Sequence, residues 1–186
     1  MNFKYFEIFH FLDEHICDEI IKYSHLFLSN FSIPTKMLHG TLKRNNKINV
    51  LYQVPDRHTE WVQLAKIFDK SVDYIEYPSI ATYEKGEMIG WHQDTMPISL
   101  RCVTIIAHLQ TAPGACLQVY DDKSDKIYSY DEHNMPKGSA VAFPSTMFHR
   151  VTPPTSGERI SFSIWANAHG VPSKYKCPSV PLNLID

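Results

Sequence analysis

The segment "GSAVAFPSTMFHRVTPPTSGERISFSIWA", residues 138–166, carries the patterns that decide the fold. Runs rich in β-branched and aromatic residues are interrupted by turn sequences, which is typical of short antiparallel strands. The last run alternates, because successive side chains of a strand point to opposite faces. One face carries Ile160, Phe162 and Ile164, and the other carries Arg159, Ser161, Ser163 and Trp165. We expect the apolar face to pack outward against helices and the arginine face to point inward.

The same texture extends over the whole second half of the chain. Before it, apolar residues recur at helical spacing after Asp13 and again from Trp61 to Val72, with strand candidates at 3–9 and 48–54. Two helices followed by about eight short strands predict an α+β, mainly β protein: a double-stranded β-helix, or jelly roll, buttressed by N-terminal helices. The eight strands are expected at 78–84, 88–94, 101–109, 115–121, 126–130, 138–143, 148–152 and 159–167.

Length and composition indicate one ordinary globular domain. The 186 residues are 44% apolar and 20% charged, and 18 basic residues face 20 acidic ones. No basic excess points to a nucleic-acid partner, and no apolar run is long enough to cross a membrane. The four cysteines are scattered, which favours reduced thiols and a cytoplasmic location. We expect a single domain over 1–186, with helical support at about 1–76, a jelly-roll core at about 77–168 and a tail at 169–186.

A second stretch, "GWHQDTM" at 90–96, places His92 and Asp94 two positions apart. In an extended strand both side chains point the same way, so they could hold one metal ion. Taken alone, the spacing favours a surface histidine beside a surface aspartate. His149, which follows a strand and a turn in the first segment, offers a third ligand. Two imidazoles and one carboxylate with open coordination positions are typical of non-haem Fe(II) oxygenases.

Arg159 adds a second chemical requirement. An arginine that points into a barrel needs an anionic partner. Its neighbour Glu158 points to the opposite face of the strand, so a bound carboxylate, which a guanidinium can hold through two hydrogen bonds, meets the requirement better.

These motifs resemble the 2-oxoglutarate- and Fe(II)-dependent dioxygenase superfamily, in its prolyl-4-hydroxylase-like, PKHD-type branch. The resemblance covers about residues 77–167 and rests on "YEKGEMIGWHQD", "RCVTIIAHL" and the opening segment. It implies that His92, Asp94 and His149 bind iron. It also implies a 2-oxoglutarate pocket formed by Arg159, Tyr83, Ser161, Thr104 and His108. The turn "PGACLQVY" departs from the family pattern, so the resemblance supports no inference about the rim of the pocket.

The resemblance implies hydroxylation of a peptidyl residue, prolyl for preference, or of a small amino-acid-like molecule. O₂ and 2-oxoglutarate would be consumed, with release of succinate and CO₂, and ascorbate is a possible reductant. Substrate contacts are expected from Trp91, Met96, Arg101 and Trp165, which could also serve as core or lid residues. Two alternatives stay open: a non-enzymatic cupin-like jelly roll that binds a metal or ligand, and, less favoured by the charge balance, a nucleic-acid demethylase.

Overall fold

The computed structural model describes residues 4–31, 47–50, 57–95, 100–170 and 184, with side chains described for 4–22, 57–95, 100–170 and 184. In these ranges the chain forms two helices, α1 Glu14–Phe31 and α2 His58–Phe68. The strands are β1 Ile8–His10, β2 Lys47–Val50, β3 Val72–Ile75, β4 Ser79–Tyr83, β5 Ile89–His92, β6 Arg101–Gln110, β7 Leu117–Asp121, β8 Lys126–Tyr130, β9 Ser139–Pro144, β10 Phe148–Val151 and β11 Arg159–Ala168.

The strands form two antiparallel sheets. The large sheet has the order β1-β9-β6-β11-β4-β2, with β3 added at the far end of β11. The small sheet has the order β5-β10-β7-β8. Apart from the hairpin of β7 and β8, neighbouring strands come from distant parts of the chain, as in a jelly roll. The predicted fold class is confirmed, and all eight strands expected after Tyr77 are present.

The helices cover the outer face of the large sheet. The apolar face of β11 packs into this core, where the Trp61 ring of α2 meets Phe162 edge-on with ring centroids 5.5 Å apart. Phe162 therefore faces outward, as the alternating pattern of this strand predicted. Arg159, the first residue of the same strand, is completely buried.

A second, smaller core lies between the two sheets, and its members include Ile106, Val119 and Phe143. It does not fill the interior, because polar side chains from the large sheet are also buried there, among them Thr104, His108, Arg159 and Ser161. Buried polar groups carry a desolvation cost unless they are partnered, so these side chains require hydrogen-bond partners within the interior.

Gly138 joins the N-terminal segment to the sheets. Its carbonyl accepts from the peptide N–H groups of Phe11 and Leu12, and its own N–H donates to the carbonyl of His108 over 2.8 Å. The backbone is left-handed, with φ of 79°, and an added Cβ would lie 2.0 Å from the Leu12 carbonyl oxygen. Only glycine fits this close crossing.

The structure differs from the sequence prediction mainly near the helices. The predicted strand at 3–9 is shorter and later, at Ile8–His10, and α1 extends to Phe31 rather than ending before 29. Val72, assigned to the second helix by its spacing, instead begins β3, because it pairs with the end of β11. The prediction for residues 51–54 lies outside the described residues. The proposed division of the chain at 76 and 168 stays a prediction.

Two further observations concern location and thiols. Within the described ranges, no helix combines the length and apolar character needed to cross a bilayer. Cys17, Cys102 and Cys116 are free thiols. The cytoplasmic location itself stays a prediction.

Candidate metal centre and cosubstrate pocket

His92 and His149 meet across the pairing of β5 with β10. They are direct register partners, and their ring centroids are 4.1 Å apart. Each ring is oriented by a carbonyl two residues earlier: His92 Nδ1 donates to Gly90 over 2.9 Å, and His149 Nδ1 donates to Met147 over 3.1 Å. Since a carbonyl can only accept, both Nδ1 atoms carry the proton. Nε2 of each ring is therefore the atom left to bind a metal ion, which it would do through its lone pair.

Asp94 completes a cluster with these two rings. Its Oδ1 lies 3.8 Å from His92 Nε2, and its Oδ2 lies 3.5 Å from His149 Nε2. One ligand atom from each residue falls within 4.8 Å of the others. Burial opposes ionisation of Asp94, but His149 and His92 outweigh it, with help from Trp165 and Thr104, so its pKa is held below the usual range. The cluster thus offers two imidazole Nε2 atoms and one carboxylate.

Residues of the large sheet and the β9–β10 turn hold Asp94 in place. The Thr104 hydroxyl donates to Asp94 Oδ2 over 2.8 Å and shares a 2.9 Å hydrogen bond with the Ser145 hydroxyl. The peptide N–H of Asp94 donates to the Ser145 carbonyl over 3.1 Å. Thr104, expected at the 2-oxoglutarate pocket, therefore lies beside the carboxylate of the cluster.

Replacing Thr104 with valine should lower metal affinity about 10- to 100-fold, the usual cost of losing a group that orients a ligand. Valine keeps the shape but removes the donor to Asp94. Titration of the purified protein with Mn(II), followed by electron paramagnetic resonance, measures the affinity. Thr82→Val is the matched control, because Thr82 is a buried threonine of β4 on the opposite face from Tyr83. Equal affinities for both variants and the wild type would contradict this role.

Arg159 occupies a separate buried position on β11. Its Nε donates to His108 Nε2 over 3.2 Å, its Nη1 donates to the Ser161 hydroxyl over 3.1 Å, and its Cζ lies 5.3 Å from the centre of the Tyr83 ring. Its Nη2 is buried without a hydrogen-bond partner, and no described carboxylate pairs with it. Burial lowers the pKa of Arg159, although Tyr83 and Cys116 oppose the shift. The guanidinium remains charged, since its ordinary pKa lies far above neutrality.

These two features fit Fe(II) and a dicarboxylate. The ligand set of two imidazoles and one carboxylate matches non-haem Fe(II) chemistry and leaves coordination positions open. A buried guanidinium with an unpartnered Nη2 requires an anion, and a carboxylate satisfies it best. His92, Asp94 and His149 would hold the metal, while Arg159 would hold the distal carboxylate of the cosubstrate.

The residues expected to contact substrate lie in three different settings. Arg101 pairs with both Glu76 carboxylate oxygens, stacks 4.3 Å from the centre of the Trp165 ring and donates to the Asp94 carbonyl over 3.1 Å. Trp165 faces the interior, and its buried Nε1 is near Asp94 but outside hydrogen-bonding geometry.

Trp91 lies on the outer face of the small sheet, because it alternates with His92 along β5. It packs there in a cluster with Tyr120, Phe148 and Leu184. It is therefore placed away from the metal cluster, on the other side of its strand. Met96 lies outside the described residues.

Sequence reasoning missed two supporting residues. Glu76 binds Arg101 from the loop after β3, and Ser145 anchors both the main chain and the Thr104 hydroxyl. No spacing connects them with the ligands. The available signals were an acidic residue just before the first predicted core strand and a serine after a strand-ending proline. Both patterns are common in unrelated loops.

The described residues thus form a jelly roll that carries a two-histidine, one-carboxylate cluster and a buried arginine. Residues 78–167 match the model of the 2OG-Fe(II) oxygenase superfamily. A PKHD-type hydroxylase of Acinetobacter baumannii is 26% identical, with 75% of this chain and 66% of the relative covered. A PKHD-type hydroxylase of Shewanella oneidensis is also 26% identical, over 69% and 62% of the two chains. The chain therefore spans just under two thirds of the length of these relatives.

Solved structures show the same fold. A prolyl-4-hydroxylase of Pseudomonas putida superposes with a TM-score of 0.71 at 17% identity, covering 88% of this chain and 92% of that one. A Trichoplax adhaerens prolyl hydroxylase, solved with a peptide fragment of hypoxia inducible factor, gives 0.65 at 18% identity, covering 87% and 83%. Residues 78–167, just under half of this chain, are thus similar to the 2OG-Fe(II) oxygenase superfamily, and the relatives named above are PKHD-type hydroxylases. This confirms the resemblance seen in the sequence, and the family implies Fe(II) and 2-oxoglutarate.

Proposed function

We propose that this protein is an Fe(II)- and 2-oxoglutarate-dependent dioxygenase that hydroxylates a peptidyl residue, prolyl for preference, or a small amino-acid-like molecule. The observation that carries the proposal is the convergence of His92, Asp94 and His149, whose ligand atoms lie within 4.8 Å of one another. The match of residues 78–167 to the family model supports the reaction class. When bound, iron with 2-oxoglutarate supplies oxidation of a C–H bond by O₂, with succinate and CO₂ as coproducts.

The side chains have distinct tasks in this proposal. The carbonyls of Gly90 and Met147 keep the protons of His92 and His149 on Nδ1, so that Nε2 of each ring faces the metal position. The burial of Arg159 excludes water from the carboxylate that it binds, which strengthens the ion pair. The two sites lie on opposite sheets, and a dicarboxylate would connect them through the interior.

A peptide is the favoured substrate class. The prolyl hydroxylase of Trichoplax adhaerens, which shares the fold, was solved with a peptide fragment. The PKHD-type relatives are hydroxylases by name. A small molecule stays the second arm of the test, because the fold is also shared by an epimerase from nogalamycin biosynthesis at a TM-score of 0.64. Ascorbate would serve only to return oxidised iron to Fe(II).

Succinate release tests the proposal. The purified protein is incubated in air with Fe(II), 2-oxoglutarate and ascorbate, with proline-containing peptides in one arm and free amino acids in the other. We expect succinate in excess of the metal-free reaction, increased by a peptide and accompanied by a 16-dalton mass gain of that peptide. Stimulation by free amino acids alone would shift the substrate class to small molecules. No succinate above the metal-free level in any arm would overturn the proposal.

A further inference from the structure

His108 occupies an unusual position for a histidine in such an interior. It lies on β6 opposite Ser161 of β11, is completely buried, and its ring contacts Arg159 rather than a metal ligand. Both ring nitrogens have partners among the described residues: Nδ1 is 3.1 Å from the Met135 carbonyl, and Nε2 is 3.2 Å from Arg159 Nε. The ring therefore makes two hydrogen bonds that can be assigned from chemistry alone.

The two partners determine where the proton of the imidazole lies. The Met135 carbonyl can only accept, so His108 Nδ1 carries the hydrogen. The Nε of Arg159 can only donate, so His108 Nε2 presents its lone pair. In this tautomer the ring has no second N–H to offer to any other group. It cannot donate to a bound carboxylate while both contacts persist.

The environment of His108 favours the neutral ring. Burial lowers its pKa to about 3, and the Arg159 guanidinium acts in the same direction, while the Met135 hydrogen bond and Asp131 oppose the shift. The charged groups facing the ring are thus Arg159 from β11 and Asp131 from the turn after β8. The ring stays neutral across the pH range in which the protein would work.

The three nitrogen atoms of the Arg159 guanidinium have different surroundings. Nε is held by His108 and Nη1 by the Ser161 hydroxyl, while Nη2 lacks a partner. Two neutral acceptors hold the plane of the guanidinium without neutralising its charge. A carboxylate entering the pocket therefore meets a cation whose orientation is already set, which reduces the entropy lost on binding.

We propose that His108 is a positioning residue that acts through Arg159: as a neutral acceptor it orients the guanidinium so that Nη2 is directed at the distal carboxylate of the cosubstrate. The identity of the cosubstrate in this inference rests on the proposed function, whereas the tautomer of His108 does not. This role differs from the expectation that His108 contacts 2-oxoglutarate itself, which stays a prediction. Met135 becomes part of the same arrangement through its main chain.

Three variants separate this role from simple packing. His108→Leu removes the acceptor for Arg159 Nε, whereas His108→Gln retains an amide oxygen that can accept from it. His133→Leu is the control, since His133 is an exposed histidine in the turn after β8.

The measured quantity is the Kd of 2-oxoglutarate for the Mn(II)-loaded protein by calorimetry without O₂, beside the Kd of Mn(II). We expect His108→Leu to weaken 2-oxoglutarate at least about 10-fold, as for loss of one charge-assisted hydrogen bond. His108→Gln should stay within about threefold of wild type by the same reasoning, with Mn(II) affinity unchanged throughout.

Nitrogen-15 NMR of the metal-free wild-type protein gives a reading that needs neither iron nor cosubstrate. The His108 ring should show the Nδ1–H tautomer, unchanged between pH 5.5 and 8.5. An Nε2–H tautomer or a protonated ring in that range would overturn the inference, and so would equal 2-oxoglutarate affinities of His108→Leu and wild type. If His108→Leu does not fold, a glutamine variant that loses 2-oxoglutarate affinity would overturn it. Absence of 2-oxoglutarate binding by the wild type would overturn both this inference and the proposed function, whereas a wrong tautomer overturns this inference alone.

Discussion

Replacing Asp94 with alanine is expected to lower metal affinity more than 100-fold and to abolish turnover. Asp94 is the only acidic member of the cluster with His92 and His149 among the described residues. Its loss removes one ligand and the one carboxylate of this cluster, so the effect should exceed the roughly 10- to 100-fold cost of losing an orienting group. Mn(II) binding by electron paramagnetic resonance and succinate release measure the two quantities.

The fold should survive this substitution, because the carboxylate contributes little apolar packing. Far-ultraviolet circular dichroism and the thermal midpoint of the metal-free protein check this. Asp73→Ala is the matched control: Asp73 forms an exposed pair with His169 at 3.0 Å, the same residue types without burial. That variant should bind Mn(II) and turn over like the wild type. Retained turnover in a folded Asp94→Ala protein would refute the assignment of the metal ligand.

Replacing Arg159 with methionine should abolish stabilisation by 2-oxoglutarate while leaving Mn(II) binding intact. Truncating one partner of a buried, hydrogen-bonded charge pair costs about 2–5 kcal/mol, or about 30- to 5,000-fold in affinity. The measurement is the thermal midpoint of the Mn(II)-loaded protein with increasing 2-oxoglutarate. Arg150→Met is the matched control, because Arg150 pairs with Gln118 at 2.7 Å on the outer face of the small sheet.

Although Arg159→Met should weaken 2-oxoglutarate binding, it should not lower the free energy of unfolding. Without cosubstrate, Arg159 is a completely buried cation with no described acidic partner and an unpartnered Nη2. Methionine fills much of the same volume without the desolvation cost of the charge, so the metal-free variant should be at least as stable as the wild type. Urea unfolding measures this. A variant that keeps its response to 2-oxoglutarate, or that loses several kcal/mol of stability, would show that Arg159 has a structural role.

Much of the fold could be predicted from local sequence. The alternation in 159–166 determined that Phe162 faces the helices and that Arg159 faces the interior, because strand geometry converts alternate positions into opposite faces. The β3 strand was missed because Val72 continues the helical spacing of α2. Its strand conformation depends on pairing with Ala168, almost a hundred residues away.

The sequence by itself determined that Arg159 points inward and that the charge balance offers no general attraction for nucleic acid. It also predicted that His92 and Asp94 lie together, although β5 ends at His92 and Asp94 lies in the bend that follows rather than on a strand face. Only the tertiary structure decided that His149 stands opposite His92, that Thr104 supports Asp94 and that His108 receives a hydrogen bond from Arg159. Each of these contacts depends on which strands pair and in what register. The packing of the whole sandwich sets the register, and a short segment of sequence does not contain that information.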